Sequence, residues 1–318
     1  MTTLVTTYRD PDLDGTACSI AYAELLRAQG TDAIAGIFGT PDVEAVSALS
    51  ATGIATPADA APLLAHCDAV VLTDTTEAET IDPALTPQRV VEIIDHRTFH
   101  EAARFTRAHV QVEPLGAAAT LITERYRNAG VTPSRAVAAL LYGAIASHTI
   151  RFRAGVTTQR DRDAAVYLQR VAGTDTTGAL VDTLFRAKST FADDAAFAAH
   201  LMREFAVFEI ADRAVGIVQL EVCDALRRVR DNRALIAQIL ADGKRGANRR
   251  QQELDYVFLT AIDLDAAYNV FLAPDAGTRT LLSELFNCTF DEQHIAQHTP
   301  LLMRKEITPR LAAHFARE

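Results

Sequence analysis

The stretch TTLVTTYRDPDLDGTACSIAYAELL, residues 2–26, joins a β-rich segment to an apolar helical segment through a cluster of acids. Asp10, Asp12 and Asp14 fall within five residues at this junction. A helix N-terminus attracts anions, but a single carboxylate is enough to cap it. Three clustered carboxylates repel one another unless a cation lies among them. The junction therefore predicts a strand-to-helix turn and, beside it, a cation site.

The same alternation of strand and helix continues through the first half of the chain. Short segments rich in Val, Ile and Thr predict strands, and these are TTLVTTY, DAIAGIF, AVVLTD, VVEIID and HVQVE. Ala- and Leu-rich segments of helical period lie between or after them. This alternation is typical of βαβ units. The sequence predicts an α/β domain over residues 1–188, with a mainly parallel sheet flanked by helices.

A different pattern begins near residue 190 and predicts a smaller mixed α+β domain. The segment AVFEIADRAVGIVQLEV (206–222) predicts a β-hairpin, and a long arginine-bearing helix follows it. YVFLTAIDLDAAYNVFLAPD (256–275) predicts another strand pair, and the last stretch predicts a short helix. We place a linker at residues 189–195 and the second domain at residues 196–318, which is a usual domain size.

The composition excludes several classes of protein. With 318 residues, 49% of them hydrophobic and 23% charged, the chain has an ordinary soluble composition and room for two domains. A formal charge of −10 argues against stable nucleic-acid binding. No apolar run approaches the ~20 residues of a membrane helix, and the N-terminal residues lack the pattern of a secretory signal. Four separated cysteines fit a reducing compartment. A cytoplasmic protein is expected.

Acidic and histidine side chains recur at the ends of the predicted elements. They are Asp12 and Asp14 after the first strand, Asp74 after AVVLT, Asp95 and His96 at the end of VVEIIDH, and His148 at the end of the helix SRAVAALLYGAIASH. The carboxyl ends of parallel strands meet at one edge of a sheet, where ligands bind. We therefore expect Asp12, Asp14, Asp74 and His96 to converge. Carboxylates and imidazoles without thiolates suit Mn²⁺, Mg²⁺, Co²⁺ or Fe²⁺, and several acids suit two ions about 3.5–4 Å apart.

Each of these residues also has a simpler structural interpretation. An Asp at a strand end, such as Asp14, is usually a turn residue or a helix cap. A His at a helix end, such as His148, is more often a partner of the helix dipole than a metal ligand. The expected convergence of several such residues on one sheet edge is what favours a metal site.

Four motifs, in order, resemble those of the DHH phosphoesterase superfamily. They are DPDLDGTACSIAYAEL, VVLTDTTE, VEIIDHR and ALLYGAIASHTIRFRAGVTTQRDRDAA. The segments FEIADRAVGIVQLEVCD, VFLTAIDLDAAYNVFL and LLMRKEITPRL are similar to parts of the family's C-terminal domain. The branch that the chain resembles holds the manganese-dependent (family II) inorganic pyrophosphatases, the exopolyphosphatases and the prune-type proteins. The Gly-Gly-Gly-His loop of the oligonucleotide-cleaving branch is absent from the sequence.

The resemblance implies a metal-dependent phosphohydrolase that cleaves a phosphoanhydride, either pyrophosphate or a short polyphosphate. By position, Asp12 is implied to bind a first ion, Asp14 and His96 a second, and Asp74 both. The family's mechanism implies attack on phosphorus by a hydroxide that the ions activate, in a cleft between the two domains. On this view Asp74, His96 and Arg97 are catalytic. Mn²⁺ is the expected ion, with Mg²⁺ or Co²⁺ as alternatives.

The expected partner is a small phosphate-containing substrate, and a homodimer is an open alternative to a monomer. The resemblance implies that Arg304 and Lys305 hold phosphate from the second domain, a guanidinium being suited to phosphate oxygens. Arg151 and Arg153 follow His148 directly. We expect these two arginines, together with Arg97, to contact phosphate near the metal edge.

The chain departs from the family's motifs at several positions. Tyr8 stands where the first motif has a histidine, and Asp10 stands at the neighbouring asparagine. We predict that Asp10 compensates as an oxygen ligand. Arg97 replaces the second histidine of Asp-His-His and keeps a donor for phosphate. His148 replaces the aspartate of the fourth motif and is predicted to be a metal ligand.

Two other functions stay open at this point. Prune-type proteins have the same Asp-His-Arg, which favours a phosphodiesterase acting on a small nucleotide. Tyr8 and His148 favour a catalytically weakened relative that binds metal, phosphate or a protein partner.

Overall fold

The computed structural model describes residues 2–97, 100–248 and 250–317. The chain divides into two units. Unit 1 comprises Met1–Phe152 and Val156–Ala187, and unit 2 comprises Arg153–Gly155 and Lys188–Glu318.

Unit 1 is built on a parallel sheet. Within the described residues its strands are β1 (Thr3–Thr6), β2 (Ala33–Ile37), β3 (Ala58–Asp59), β4 (Ala69–Thr73), β5 (Val90–Asp95) and β6 (His109–Val112). The strand order is β3-β2-β1-β4-β5-β6, and each pairing is parallel. The central strand β4 reads AVVLT and is buried along its whole length, as expected where both faces of a sheet are covered. The predicted α/β fold with a mainly parallel sheet is confirmed.

Helices cover this sheet. In the described part of unit 1 they are α1 (Leu13–Ala28), α2 (Val43–Thr52), α3 (Ala60–Leu64), α4 (Ala118–Asn128), α5 (Arg135–His148), α6 (Gln159–Ala172) and α7 (Thr174–Lys188), with short 3₁₀ turns at Pro87–Arg89 and Ala102–Arg104. Several of their ends carry ordinary capping residues. The Asp42 side chain caps α2, which ends at Gly53 in the left-handed region. Thr158 and Asp161 form a capping box at the start of α6.

The strand order reverses between β1 and β4. From β1 the chain moves outward to β2 and β3, then returns to place β4 on the other side of β1 and continues to β5 and β6. In open parallel sheets, ligands bind in the crevice at the carboxyl ends of the strands on either side of such a reversal. The topology therefore places the residues that follow β1, β4 and β5 beside one another.

Unit 2 is built on a mixed sheet. Its strands in the described chain are β7 (Phe205–Ile210), β8 (Arg213–Val222), β9 (Tyr256–Asp263), β10 (Asn269–Leu272) and β11 (Ile295–His298), in the order β11-β10-β9-β8-β7. β8 and β9 are parallel, and the other pairings are antiparallel. The helices described here are α8 (Asp194–Arg203), α9 (Ala225–Asp231), α10 (Arg233–Lys244), α11 (Ala276–Phe286) and α12 (Arg304–Phe315). This confirms the predicted mixed α+β region. The residues predicted as a linker, 189–195, run from the end of α7 into the first turn of α8.

Both faces of the second sheet are covered. Val257 and Leu259 of β9 belong to one apolar cluster, and Phe258 between them belongs to another. This alternation explains why β9 is apolar along almost its whole length. The predicted hairpin turns through Ala211 and Asp212, both with positive φ, as two-residue hairpin turns require.

The prediction of one long arginine-bearing helix after the hairpin is wrong. The helical segment breaks at Asn232 into α9 and α10. The Asn232 side chain donates to the carbonyl of Arg228 at 2.9 Å, beside the bond from its own N–H at 3.2 Å, and side-chain bonds of this kind compete with regular helix geometry. Across the described ranges, no helix has the length and apolar character needed to cross a membrane.

Candidate metal centre

The turn that connects β1 to α1 is tightly packed. Asp12 is the N-cap of α1, and its Oδ1 accepts a hydrogen bond from the Gly15 N–H at 3.1 Å. A Cβ atom at Gly15 would lie 2.5 Å from Thr7 Oγ1 and 3.2 Å from the Tyr8 ring. Glycine is therefore needed for the first turn of α1 to approach the end of β1. The Tyr8 hydroxyl accepts a hydrogen bond from the Asp12 N–H at 3.0 Å.

Asp14 points from α1 toward the start of α4. Its Oδ2 accepts from the N–H of Ala118 at 2.7 Å, and its Oδ1 accepts from the N–H of Ala119 at 2.9 Å. The N-cap of α4 is Ala117, whose side chain makes no capping bond. Asp14 is fully buried and caps a helix that begins more than 100 residues later in the chain. Asp14 thus acts as a helix cap, as its simpler structural interpretation holds, but it caps α4 and not its own helix.

Asp74 follows β4 in the left-handed region, with φ of 56°. Its N–H donates to the Ile94 carbonyl at 2.8 Å, which extends the pairing of β4 with β5 by one residue. The carboxylate is completely buried, and neither oxygen accepts a hydrogen bond from any residue that the structure describes. Arg97 Nη1 lies 3.7 Å from Asp74 Oδ1, which is an ion pair without a hydrogen bond. A buried carboxylate without hydrogen-bond donors is costly unless cations or a proton compensate its charge.

His96 lies directly against this carboxylate. Its Nε2 is 3.3 Å from Asp74 Oδ1 and 3.8 Å from Asp14 Oδ2. Its Nδ1 lies 2.9 Å from the carbonyl oxygen of Leu115. A carbonyl can only accept, so Nδ1 carries a proton, and Nε2 is the nitrogen that faces the carboxylates. A lone pair facing two carboxylates requires a proton or a metal ion between them.

His148, the last residue of α5, reaches the same place from the other side. Its Nε2 is 3.4 Å from Asp12 Oδ2, and its Nδ1 is 3.7 Å from Asp14 Oδ2. The rings of His148 and His96 are 6.3 Å apart between centroids. The neighbouring Ser147 hydroxyl donates to the buried Glu44 of α2, which fixes the end of α5.

Asp95 and Arg97 complete the cluster. Asp95 Oδ1 accepts from the His96 N–H at 2.7 Å and from Arg97 Nη1 at 3.2 Å, and its Oδ2 accepts from Thr76 Oγ1 at 3.3 Å. Arg97 also donates to the Asp74 carbonyl, and its guanidinium lies over the Tyr8 ring at 5.7 Å. Asp95 was not among the predicted site residues, although its place at the end of a strand was the same signal that pointed to Asp74.

Two overlapping groups of side chains could hold a metal ion. In the first, Asp14, His96 and His148 place ligand atoms within 4.8 Å of one another, and Asp74, Asp95 and His96 do so in the second. Ligands that bind one ion at about 2.1 Å lie about 3.4 Å apart at tetrahedral angles. The separations of 3.3, 3.7 and 3.8 Å between the ligand atoms are close to this. Together with the orphaned carboxylate of Asp74, the donor set fits a divalent cation.

The pKa shifts of Asp14 and His148 indicate that positive charge does not fully compensate the carboxylates of the cluster. Burial and the nearby carboxylate of Asp74 raise the pKa of Asp14. Burial lowers the pKa of His148, but the neighbouring carboxylates, with Asp12 first, outweigh this effect and raise the pKa to about 10. In the metal-free protein His148 is therefore protonated near neutral pH and partly compensates the acids.

We expect metal binding to release a proton from His148. A ligand imidazole must be neutral, so Mn²⁺ affinity should rise with pH between 7 and 9, by up to about tenfold per pH unit. Calorimetric titration in buffers of different ionisation enthalpy counts the protons released. The variant His148→Gln should lose this dependence, and the same change at the exposed His66 should not. An affinity independent of pH in the native sequence would contradict the expectation.

Other predicted site residues lie outside the two groups. Asp10 is exposed, and its Oδ1 accepts from the Thr40 N–H at 3.0 Å. Arg151 pairs with Asp182 in unit 1. Their roles in metal or phosphate binding stay predictions.

Three further predicted phosphate contacts belong to unit 2. Arg153 donates to the carbonyls of Leu264 and Asp265. Arg304 begins α12, and its Nη1 donates to the Glu204 carbonyl at 2.7 Å, whereas Lys305 is exposed. These contacts do not test the predicted roles either.

Part of the chain matches a family of known proteins. Residues 2–145 match the model of the DHH family, N-terminal domain. A protein of Deinococcus radiodurans, named as a probable manganese-dependent inorganic pyrophosphatase, is 28% identical over 319 residues, which cover 97% of each chain. One of the same name from Shouchella clausii is 33% identical over 174 residues, covering 54% of this chain and 55% of its own.

A solved structure shares the fold. It is a Methanococcus jannaschii protein named as a putative family II inorganic pyrophosphatase, with a TM-score of 0.73, 21% identity and 99% of both chains covered. Residues 2–145 of this chain are thus a DHH family N-terminal domain, and the chain over nearly its full length is a homologue of proteins named as manganese-dependent inorganic pyrophosphatases.

Proposed function

We propose that this chain is a divalent-metal-dependent hydrolase of inorganic pyrophosphate, with Mn²⁺ as the expected ion and Mg²⁺ or Co²⁺ as alternatives. The observation that carries the proposal is the buried Asp74 carboxylate, which accepts no hydrogen bond from the described residues and lies 3.3 Å from His96 Nε2. The substrate is supported by the names of the full-length homologues.

The residues that would hold divalent ions are Asp14, His96 and His148 in one group and Asp74, Asp95 and His96 in the other. When bound, a divalent ion supplies Lewis-acid polarisation of phosphoryl oxygens and lowers the pKa of water. The protein fixes the ligands before binding, since Asp14 is tied to α4 and His96 to the Leu115 carbonyl. Preorganised ligands of this kind reduce the cost of assembling the site. The attack by a metal-activated hydroxide stays a prediction.

We assign phosphate binding to the Arg97 side chain. Asp95 and the Asp74 carbonyl fix one nitrogen of its guanidinium beside the ion ligands. Its side chain is 30% exposed, which leaves part of the group accessible to a ligand. A guanidinium has five N–H donors and stays charged at any working pH. Arg97 can therefore be held by Asp95 and still donate to a phosphate oxygen.

Replacing Arg97 with Ala should raise the KM for pyrophosphate while Mn²⁺ affinity is kept or increased. A hydrogen bond to a charged group is worth about 1.5–3 kcal/mol, so we expect kcat/KM to fall about 10–100-fold. Steady-state phosphate release and Mn²⁺ titration measure the two effects. Arg97→Lys should recover part of the loss, because it restores the charge without the planar donors. An unchanged KM would remove Arg97 from substrate binding.

Phosphate release from pyrophosphate, tripolyphosphate and a cyclic nucleotide, each with Mn²⁺ and with Mg²⁺, tests the proposal. Turnover of pyrophosphate with a divalent ion is the expected result. Turnover of the cyclic nucleotide alone would instead establish the phosphodiesterase. Tight Mn²⁺ binding with no turnover of any substrate would favour a catalytically weakened relative that binds metal, phosphate or a protein partner. The observation behind this alternative is that Tyr8 replaces the histidine of the first motif.

Several predictions complete the proposal. The phosphate contacts of Arg151, Arg153, Arg304 and Lys305 stay predictions. So do the ligand roles of Asp10 and Asp12, the binding of two ions, short polyphosphate as a substrate, a homodimer and a cytoplasmic location.

A further inference from the structure

Three polar side chains lie together on one face of the sheet of unit 2. Gln219 of β8 is paired in register with Thr260 of β9, and Asn269 of β10 donates through Nδ2 to Thr260 Oγ1 at 2.7 Å. Thr260 and Asn269 are fully buried, and Gln219 is partly buried. These three residues form a polar cluster beside an apolar core, because the residues two positions along each strand share this face and pack together. Those neighbours are Ile217, Phe258 and Phe271.

The polar cluster bonds to the chain where α12 begins. Asn269 Oδ1 accepts from the Leu302 N–H at 2.6 Å, and its Nδ2 donates to the Leu302 carbonyl at 2.8 Å. Gln219 Oε1 accepts from the N–H of Arg304, the first residue of α12, at 2.6 Å. The N–H groups in the first turn of a helix have no partner within that helix. Two side-chain amides, on β8 and β10, thus fix the backbone of residues 302–304.

These hydrogen bonds define a position more than they add stability. Burying a polar group costs desolvation, and its hydrogen bonds roughly offset that cost. A buried network whose members are all bonded, however, favours one arrangement. Asn269 meets this condition, because Nδ2 makes two bonds and Oδ1 accepts one. Further along α12, Ile307 and Leu311 pack in the apolar core, and such packing is non-directional. The polar cluster therefore sets where α12 begins.

The side chain that this arrangement places is that of Arg304. Its Nη1 donates to the Glu204 carbonyl at 2.7 Å. Arg304 is thus held at its backbone by Gln219 and at one nitrogen of its guanidinium by the chain before β7. A guanidinium has five N–H donors in a planar fork that suits phosphate oxygens. Arg304 can therefore be fixed in place and also donate to a phosphate.

We propose that Gln219 and Asn269 are positioning residues for the substrate: they fix the first turn of α12 so that the Arg304 guanidinium meets a phosphate oxygen. The inference deepens the proposed function and rests on it, because it needs the predicted phosphate contact of Arg304. Neither amide contacts the substrate on this account, and their effect passes through the placement of Arg304. A misplacement of about 1 Å in such a group costs up to about 100-fold.

The first test is binding of imidodiphosphate, a non-hydrolysable analogue of pyrophosphate, to the full chain loaded with Mn²⁺. The variant is Gln219→Leu, since Gln219 is only partly buried and leucine has a similar size. The affinity for the analogue should fall about 10–100-fold, and the affinity for Mn²⁺ should not change. The matched control is Gln297→Leu, the same exchange at an exposed position of β11, which should leave both affinities unchanged. An unchanged affinity for the analogue in Gln219→Leu would overturn the inference.

A double-mutant cycle with Arg304→Ala separates positioning from direct contact. If Gln219 acts through Arg304, Gln219→Leu should add little to the loss that Arg304→Ala causes alone. Losses that multiply in the double variant would show that Gln219 acts elsewhere, and would overturn the inference. Native affinity in Arg304→Ala would overturn it too, and continued turnover of pyrophosphate would then leave the proposed function standing.

Hydrogen exchange of the metal-free chain tests the positioning without any substrate. The Arg304 N–H should exchange faster in Gln219→Leu than in the native protein, because it loses its acceptor, and Gln297→Leu should not change the rate. An unchanged rate in Gln219→Leu would overturn the positioning role whether or not the native chain hydrolyses pyrophosphate. Failure of the native chain to bind the analogue, by contrast, would contradict the proposed function together with the inference.

Discussion

Asp74→Asn is expected to abolish pyrophosphate turnover and, at the same time, to stabilise the metal-free protein. The carboxylate is buried without a donor among the described residues, so removing its charge relieves an electrostatic cost in the absence of metal. Asn tolerates the left-handed backbone at this position, where φ is 56°. Loss of the Lewis-acid contribution of the ion should lower kcat/KM by about a thousandfold or more.

Thermal unfolding with and without Mn²⁺ checks both effects. Without metal, the melting temperature should rise by about 2–4 °C, which corresponds to about 1 kcal/mol for a domain of this size. With saturating Mn²⁺, the native sequence should gain stability and Asp74→Asn should not. A variant that kept its activity and its full gain in stability from Mn²⁺ would show that Asp74 is not an ion ligand.

Asp14→Ala is expected to remove metal binding and also to destabilise the metal-free protein, opposite in sign to Asp74→Asn. Asp14 accepts the N–H groups of Ala118 and Ala119, and Ala117 provides no side-chain cap to replace it. Burying unpaired N–H groups at the start of α4 should cost about 1–3 kcal/mol. This loss outweighs the relief of repulsion from Asp74, since the two N–H bonds compensate the Asp14 charge.

Asp14→Asn is the matched control for this change. Asn keeps one acceptor oxygen of similar shape, so the metal-free stability should fall between that of the native protein and that of Asp14→Ala. Metal affinity should be lost in both variants. Denaturant unfolding of the metal-free protein measures the order. Equal stability of Asp14→Ala and the native protein would contradict the capping role.

The strands and the site edge were predictable because they depend on local patterns. β4 and β5 are short apolar segments that end in Asp74 and in Asp95–His96, and parallel pairing alone brings these ends together. The position of His148 at the end of α5 followed from helical period. The residue types at this edge predicted divalent-metal chemistry, and the family motifs added the expected phosphoanhydride substrate.

The sequence could not show which structural role each carboxylate has. Asp12 and Asp14 are two residues apart and look equivalent, yet Asp14 caps α4 whereas Asp12 faces His148. This difference depends on packing between elements distant in sequence. For the same reason, the sequence could not show that the Leu115 carbonyl fixes the tautomer of His96. Backbone partners of this kind carry no residue type that a sequence pattern could reveal.

Anomalous diffraction from a crystal of the full chain soaked in Mn²⁺ tests the central claim most directly. The account predicts a manganese peak at coordination distance, about 2.0–2.4 Å, from Asp74 Oδ1 and His96 Nε2. A crystal saturated with Mn²⁺ that showed no peak beside Asp74 would contradict it.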